Sequence, residues 1–281
     1  MDAPFKKIAL AVTFSPTRLA LLREAARLKE LFNAELLLIH VARETAETKN
    51  KLEEMVKEAG IDPGTVRFEW GTGDPVKVIA SKCIGNKVDL LIAGALEKEA
   101  ILTYYTGSIA RKLMREAPCS MLILVSPQDK VKMYTKMCVS VSFESECAAI
   151  IKKAFQFAHF GKTKEISLLR EFQVPGLSIT VYDGGSTEET EESRSRWVKE
   201  EEDKLRIFLS EHNLVSDIAL KLVALYGKSG WESKNFVQQA KSDLLVIASP
   251  AKKLNFFDRL FQHDLEFIFE NLPCSLLMIK Q

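Results

Sequence analysis

Short, nearly continuous apolar runs alternate along this chain with longer stretches in which apolar residues recur every three or four positions. The first runs are Lys7-Ile-Ala-Leu-Ala-Val12, Glu35-Leu-Leu-Leu-Ile-His40-Val41, Thr65-Val-Arg-Phe-Glu-Trp70, Val88-Asp89-Leu-Leu-Ile-Ala93 and Ser120-Met-Leu-Ile-Leu124. Runs of this kind suit strands covered on both faces, as in parallel sheets. Between them, Leu21, Ala25, Leu28 and Phe32 form a core-facing helical stripe, and residues 44–59 read as a polar, exposed helix. Ser15 is a candidate N-cap with Pro16 at the first helical position. Asp74 and Pro75 open a helix through Ile84, and Gly107-Ser108 opens another. Strand and helix alternating five times predict a parallel α/β domain.

The pattern then restarts. Residues 1–127 form the first predicted domain, 128–135 a linker, and 136–281 a second domain. Val12-Thr13-Phe14 is answered by Val141-Ser142-Phe143 at the end of the strand Lys136-Met-Cys-Val-Ser-Val141. A helix around Ala148–Phe155 and a strand Glu165–Leu169 follow. The halves diverge at Val174–Gly185, an addition with room for one short strand. Ser186–Asn213 is then a charged amphipathic helix with Val198, Leu205 and Phe208 inward. Ile218–Tyr226 predicts the third strand, Trp231–Lys241 a helix, and Asp243–Ser249 and Leu272–Ile279 the last two strands.

Length supports this reading, since 281 residues accommodate two units with a core each. The 39 basic and 38 acidic residues leave a net charge of +1, so no bulk field favours nucleic acid. No apolar run reaches the roughly 18 residues of a membrane span, and Met1-Asp-Ala-Pro-Phe-Lys-Lys7 lacks a signal-peptide layout. The expectation is a cytoplasmic protein with neither nucleic-acid nor membrane partners. The 5 cysteines include no C-x-x-C pair, which argues against a disulfide framework or zinc site. The 4 scattered histidines suggest no shared metal; His40, ending a strand, reads as a hydrogen-bonded core residue. Gly227-Lys228-Ser229 looks like the end of a phosphate loop, but Leu222 stands where that motif needs its first glycine, so a structural turn is the better reading. Tyr104-Tyr105 and Phe256-Phe257 read as core packing ahead of a helix. No side chain has an identifiable base partner at fixed spacing, so no catalytic residue is named and an enzyme is not expected.

The candidate chemistry lies at Asp89-Leu-Leu-Ile-Ala-Gly94, the loop through Glu97, and Gly107-Ser108-Ile-Ala-Arg-Lys-Leu113-Met-Arg-Glu-Ala-Pro-Cys119. A glycine lets backbone approach a ligand, and a helix start offers N–H groups to an anion. Together with the Gly73-Asp74-Pro75 turn, these residues resemble the universal stress protein family in its tandem two-domain form. The resemblance implies two tandem open parallel five-stranded sheets in the order 3-2-1-4-5 with helices on both faces, a Rossmann-like α/β fold. It implies a ligand crevice beyond the first and fourth strands. It also implies an intramolecular pseudo-dimer through Met121–Val125 and Leu276–Ile279, with a further homodimer open.

One branch of that family binds ATP through G-x2-G-x9-G-[ST] and an aspartate ending the first strand. Gly94, Gly107 and Ser108 match, Glu97 replaces the middle glycine, and Thr13 replaces the aspartate. The residues implied for ligand binding are Thr13, Ser15, Val41, Gly94, Gly107 and Ser108, with ATP or AMP as the cofactor open to the first domain. In the second, the counterparts are Ser142, Ser249 and His263, without a glycine. Two functions stay open: a non-enzymatic stress-response module acting through a small ligand or protein partner, and an ATP- or AMP-binding regulator using the first cleft.

Overall fold

The computed structural model describes residues 1–97, 104–105, 108–127, 133–174, 187–228, 230–249 and 272–280. In the first half the strands are β1 (Lys7–Val12), β2 (Glu35–Val41), β3 (Arg67–Gly71), β4 (Leu90–Gly94) and β5 (Ser120–Leu124). The helices are α1 (Arg18–Phe32), α2 (Ala46–Glu58), α3 (Pro75–Gly85) and α4 (Ser108–Glu116). In the second half β6 (Lys136–Ser140), β7 (Glu165–Phe172), β8 (Ala219–Tyr226), β9 (Leu244–Ala248) and β10 (Ser275–Ile279) alternate with α5 (Ser145–Phe160), α6 (Thr187–Glu211) and α7 (Trp231–Gln239). Both halves have the strand order 3-2-1-4-5.

The two sheets are not separate, which corrects the expectation of two tandem sheets. They run together into one ten-stranded sheet, β8-β7-β6-β9-β10-β5-β4-β1-β2-β3. The joint is the antiparallel pair β5·β10, with Leu122 opposite Leu277, Leu276 opposite Ile123 and Met278 opposite Met121. Strand registers make Ser120 the counterpart of Ser275, since each lies opposite the first residue of its fourth strand. The Ser120 hydroxyl accepts the Lys280 N–H at 3.0 Å, and Ser275 accepts the Val125 N–H at 3.2 Å. These reciprocal bonds place a pseudo-two-fold axis at the Leu122–Leu277 pair, the isologous geometry of a dimer written into one chain. Every residue of β5 and β10 is buried. Pairing two apolar edge strands satisfies their backbone groups and removes an edge that would otherwise recruit other chains.

The junction is equally continuous on the helix faces. Both apolar clusters contain residues of both halves. On one face α1 and α5 meet: the Phe32 ring centroid lies 5.6 Å from Phe157 and 5.9 Å from Phe160. Tyr134, within the predicted linker, is 5% exposed, and its hydroxyl donates to Glu24 Oε1 at 2.9 Å across the junction. Glu24 in turn accepts from Arg27 at 2.7 and 2.9 Å. Residues 128–132 of that linker lie outside the described residues, as does most of the Val174–Gly185 addition.

Acidic residues ahead of the fourth strands are staples. Asp89 accepts the Lys6 and Lys7 N–H groups, and Asp243 accepts those of Thr135 and Lys136. The α1 start differs from expectation: Thr17 is the N-cap, without a side-chain capping bond, while the Ser15 carbonyl accepts the Arg18 N–H at 3.1 Å and the Ser15 hydroxyl lies 3.4 Å from that of Thr17. Asp74 does cap α3, accepting the Lys77 N–H at 3.0 Å.

Candidate functional site at the carboxyl edge of the first half

Strand order reverses between β1 and β4, so the crevice lies beyond their carboxyl ends. Thr13 leaves β1 exposed there, and Ser15 and Val41, ending β2, are half-buried beside it. The structure therefore brings Thr13, Ser15, Val41 and Gly94 to one edge. The Ser108 backbone starts α4, while Gly107 lies outside the described residues, as do the side chains of Ser108 and Glu97.

Gly94 has a packing role. A Cβ there would stand 3.1 Å from Leu21 Cδ1 and 3.3 Å from Cδ2, so its missing side chain lets α1 lie close on the sheet. Beyond it, Leu96–Glu97 pairs antiparallel with Tyr104–Tyr105, with Glu97 opposite Tyr104. The sequence pattern suggested a loop here. The ladder draws backbone at the middle-glycine position into strand pairing, which competes with donation to a phosphate.

Three aromatic side chains line the same edge. The Phe14 ring, 49% exposed, stands edge-on to His40 with centroids 5.1 Å apart, and His40 stands edge-on to Trp70 at 5.5 Å. His40 is 8% exposed, and its Nδ1 lies 2.9 Å from the Val12 carbonyl oxygen. A carbonyl only accepts, so Nδ1 carries the proton and Nε2 of the neutral ring is the acceptor nitrogen. The core reading of His40 holds. Phe14 and Trp70 were missed as site residues, although the repeated Val-[Thr/Ser]-Phe ending of the first strands marked Phe14. Near the edge, Arg18 Nη1 donates to the Ser15 carbonyl at 3.4 Å, and its Nη2 faces Glu58 Oε2 at 4.0 Å.

The second edge is built differently. Register places Arg170 where the first half has His40. Its guanidinium lies 4.5 Å over the Phe143 ring and bonds Glu201 of α6 at 3.2 Å, and Glu201 also accepts from Lys204 at 2.6 Å. Phe143 packs on Phe208, with centroids 5.8 Å apart, and is half-buried where Phe14 is exposed. The cause is length: α6 has 25 residues against 13 in α2. The Ser142 N–H bonds Cys147 Sγ at 3.3 Å, and the Ser249 N–H bonds the Ile279 carbonyl at 2.8 Å. His263 lies outside the described residues, as do Phe256 and Phe257. Gly227 is a structural turn: at φ 149° it donates to the Phe172 carbonyl at 3.1 Å, and a Cβ would meet Glu232 at 2.3 Å.

Among the described residues there is no cluster of three or more metal-ligating side chains, and no helix is long and apolar enough to cross a membrane. All five cysteines are buried, and none is joined in a disulfide.

Residues 42–125, which carry β3 to β5 and the crevice side of β4, match the model of the universal stress protein family. The chain carries a universal stress protein domain. No curated protein sequence matches it. Among solved structures it is similar to a universal stress protein from Pseudomonas aeruginosa UCBPP-PA14, at 19% identity and a TM-score of 0.69 over 98% of this chain and 93% of the other. A functionally unknown protein from Pseudomonas aeruginosa PAO1 aligns with a TM-score of 0.68 at 19% identity, covering 98% and 92%. A universal stress protein from Archaeoglobus fulgidus aligns with a TM-score of 0.60 at 13% identity, covering 97% and 98%. These similarities extend the universal stress protein fold across both halves.

Proposed function

We propose that this chain is a non-enzymatic stress-response module, in the cytoplasm, whose ligand face is the carboxyl edge of its first half. The exposed Phe14 ring, braced by His40 and Trp70 at the strand-order reversal, carries this reading. A rigid aromatic edge beside an imidazole acceptor suits a planar, hydrogen-bonding ligand such as a nucleobase. Gly94 packed on Leu21 and the Glu97–Tyr104 pairing leave less open backbone for a polyphosphate. AMP therefore fits this edge better than ATP. The position of the α4 start, Ser108, beyond β4 supports the second reading, a nucleotide-binding regulator, because a helix start there can still receive one phosphate. The second half acts as a structural and partner-facing copy. Small molecules released from the denatured purified protein, identified by mass spectrometry, test this reading. A planar nucleoside-class ligand supports it, and a nucleoside triphosphate contradicts it.

A further inference from the structure

Two helices on opposite faces of the sheet, one in each half, carry outer surfaces of opposite charge. The faces are distinguished by β1, which sends Ile8 and Leu10 to one apolar cluster and Ala9 to the other. α3 packs on the Ala9 face through Val76, Ile79 and Cys83, and α6 packs on the other through Leu205, Phe208 and Leu209. From Pro75 to Lys87 there are three lysines and no carboxylate, whereas α6 has nine carboxylates against five cations. Each helix also exposes an isoleucine, Ile84 at 62% and Ile207 at 57%.

A lone isoleucine on a surface needs no explanation. These two stand in matching frames of opposite sign. Lys77 precedes Ile84 by seven residues and Lys87 follows it by three; Glu200 precedes Ile207 by seven and Glu211 follows it by four. At a rise of about 1.5 Å per residue, each leading charge lies about 10 Å before its isoleucine and, being two turns back, on the same side of the helix. All four charged residues are exposed. Among the described residues, none of these four side chains enters an ion pair or hydrogen bond, while their neighbours are already paired: Lys82 with Glu69, Lys204 with Glu201, and Asp203 with Arg206. One frame offers unpaired ammonium groups and the other unpaired carboxylates at the same spacing around the same apolar side chain.

We propose that this chain associates head to tail with a second copy of itself, α3 of one molecule lying along α6 of the next. With the two helices parallel, Ile84 meets Ile207, Lys77 meets Glu200 and Lys87 meets Glu211. Burial of the isoleucine pair supplies attraction, and the charge pairs fix register and orientation. Because the two surfaces lie on opposite faces, a joined pair leaves one surface of each kind open, and further copies add to it. A contact between two helices is small, in the class of transient interfaces below about 1,200 Å². It does not involve β5 and β10, which are paired inside each chain.

Sedimentation velocity of the full chain over a concentration series tests the contact. At low salt the mass is expected to rise with concentration past that of a dimer, and to fall back towards the monomer at about 0.5 M salt, where charges are screened within about 4 Å. Lys77→Glu and Glu200→Lys are each expected to weaken association about tenfold, and Ile84→Ser by at least as much. An equimolar mixture of the Lys77→Glu and Glu200→Lys chains is expected to restore it, because the two altered surfaces complement each other and the two unaltered ones still match. The unfolding temperatures of the dilute variants, expected to stay at that of the dilute wild type, separate a lost contact from a lost fold. A chain that stays monomeric, a series that stops at a dimer, association indifferent to both charge reversals, or a mixture no stronger than its components would overturn the proposal.

Discussion

The bond between Tyr134 and Glu24 is a side-chain link across the junction, and its contribution can be estimated. Tyr134→Phe keeps the ring in the core, 5.7 Å from Phe157 and 5.6 Å from the Arg27 guanidinium, and removes only the hydroxyl. The lost bond, 2.9 Å to a buried carboxylate, is charge-assisted and so worth about 1.5–3 kcal/mol. Glu24 keeps both Arg27 bonds and is not orphaned, which places the expected loss near the lower end, about 1.5 kcal/mol. Glu24→Ala removes a partner from two groups at once and leaves a largely buried guanidinium uncompensated, at about 3–5 kcal/mol. Burial, ahead of the Glu24 charge, pushes the Tyr134 phenol well above its ordinary range, so the hydroxyl keeps the proton it donates at neutral pH, where the comparison is made. Urea unfolding of the wild type, both single variants and the double variant gives the coupling, expected at about 1–2 kcal/mol. A Tyr134→Phe variant as stable as the wild type, or additive single effects, would show that the halves do not communicate through this bond.

Three further outcomes can be checked. Gly94→Ala should cost about 1 kcal/mol by crowding Leu21, and the cost should shrink on a Leu21→Val background in the same unfolding assay. The hydrogen bond from Lys82, 2.8 Å away, holds the Glu69 carboxyl below its ordinary value of 4.5. Its stabilisation is therefore complete above that value and lost as pH falls through the lowered one. Glu69→Gln should be less stable than the wild type by under about 1 kcal/mol near pH 7, with the gap in unfolding temperature closing in acid. A hydrogen bond with Cys119, then burial, pushes the Cys83 thiol far up, so Cys83 should react with a thiol reagent only at the rate of unfolding, read by mass spectrometry with and without urea.

Much of the fold was legible because parallel strands buried on both faces leave unbroken apolar runs, as in Leu90–Ala93 and Ser120–Leu124. The repeat was legible for the same reason. The merging of the sheets was less so: an apolar edge strand signals that something covers it, and only the register reveals that Leu122 meets Leu277. Ser15 misled because Ser-Pro is a strong helix-start signal, yet the chain takes one more turn before Thr17. At the candidate site, Thr13 and Val41 were named through the family resemblance, and the structure places both at the ends of the strands that border the crevice. Gly94 shows a packing reason that the motif could not reveal, since a glycine pattern does not tell close approach of a ligand from close approach of Leu21. Phe14, His40 and Trp70 come from three different strand ends, and nothing in their spacing announces that their rings meet.

The central claim is that the Phe14 edge receives a planar ligand and not a polyphosphate, and paired calorimetric titrations of AMP and ATP into the full chain and Phe14→Ala test it most directly. The wild type is expected to bind AMP, with ATP no tighter, and Phe14→Ala to lose about tenfold in AMP affinity, or about 1.4 kcal/mol. Tenfold tighter ATP, or AMP binding indifferent to Phe14, would contradict it.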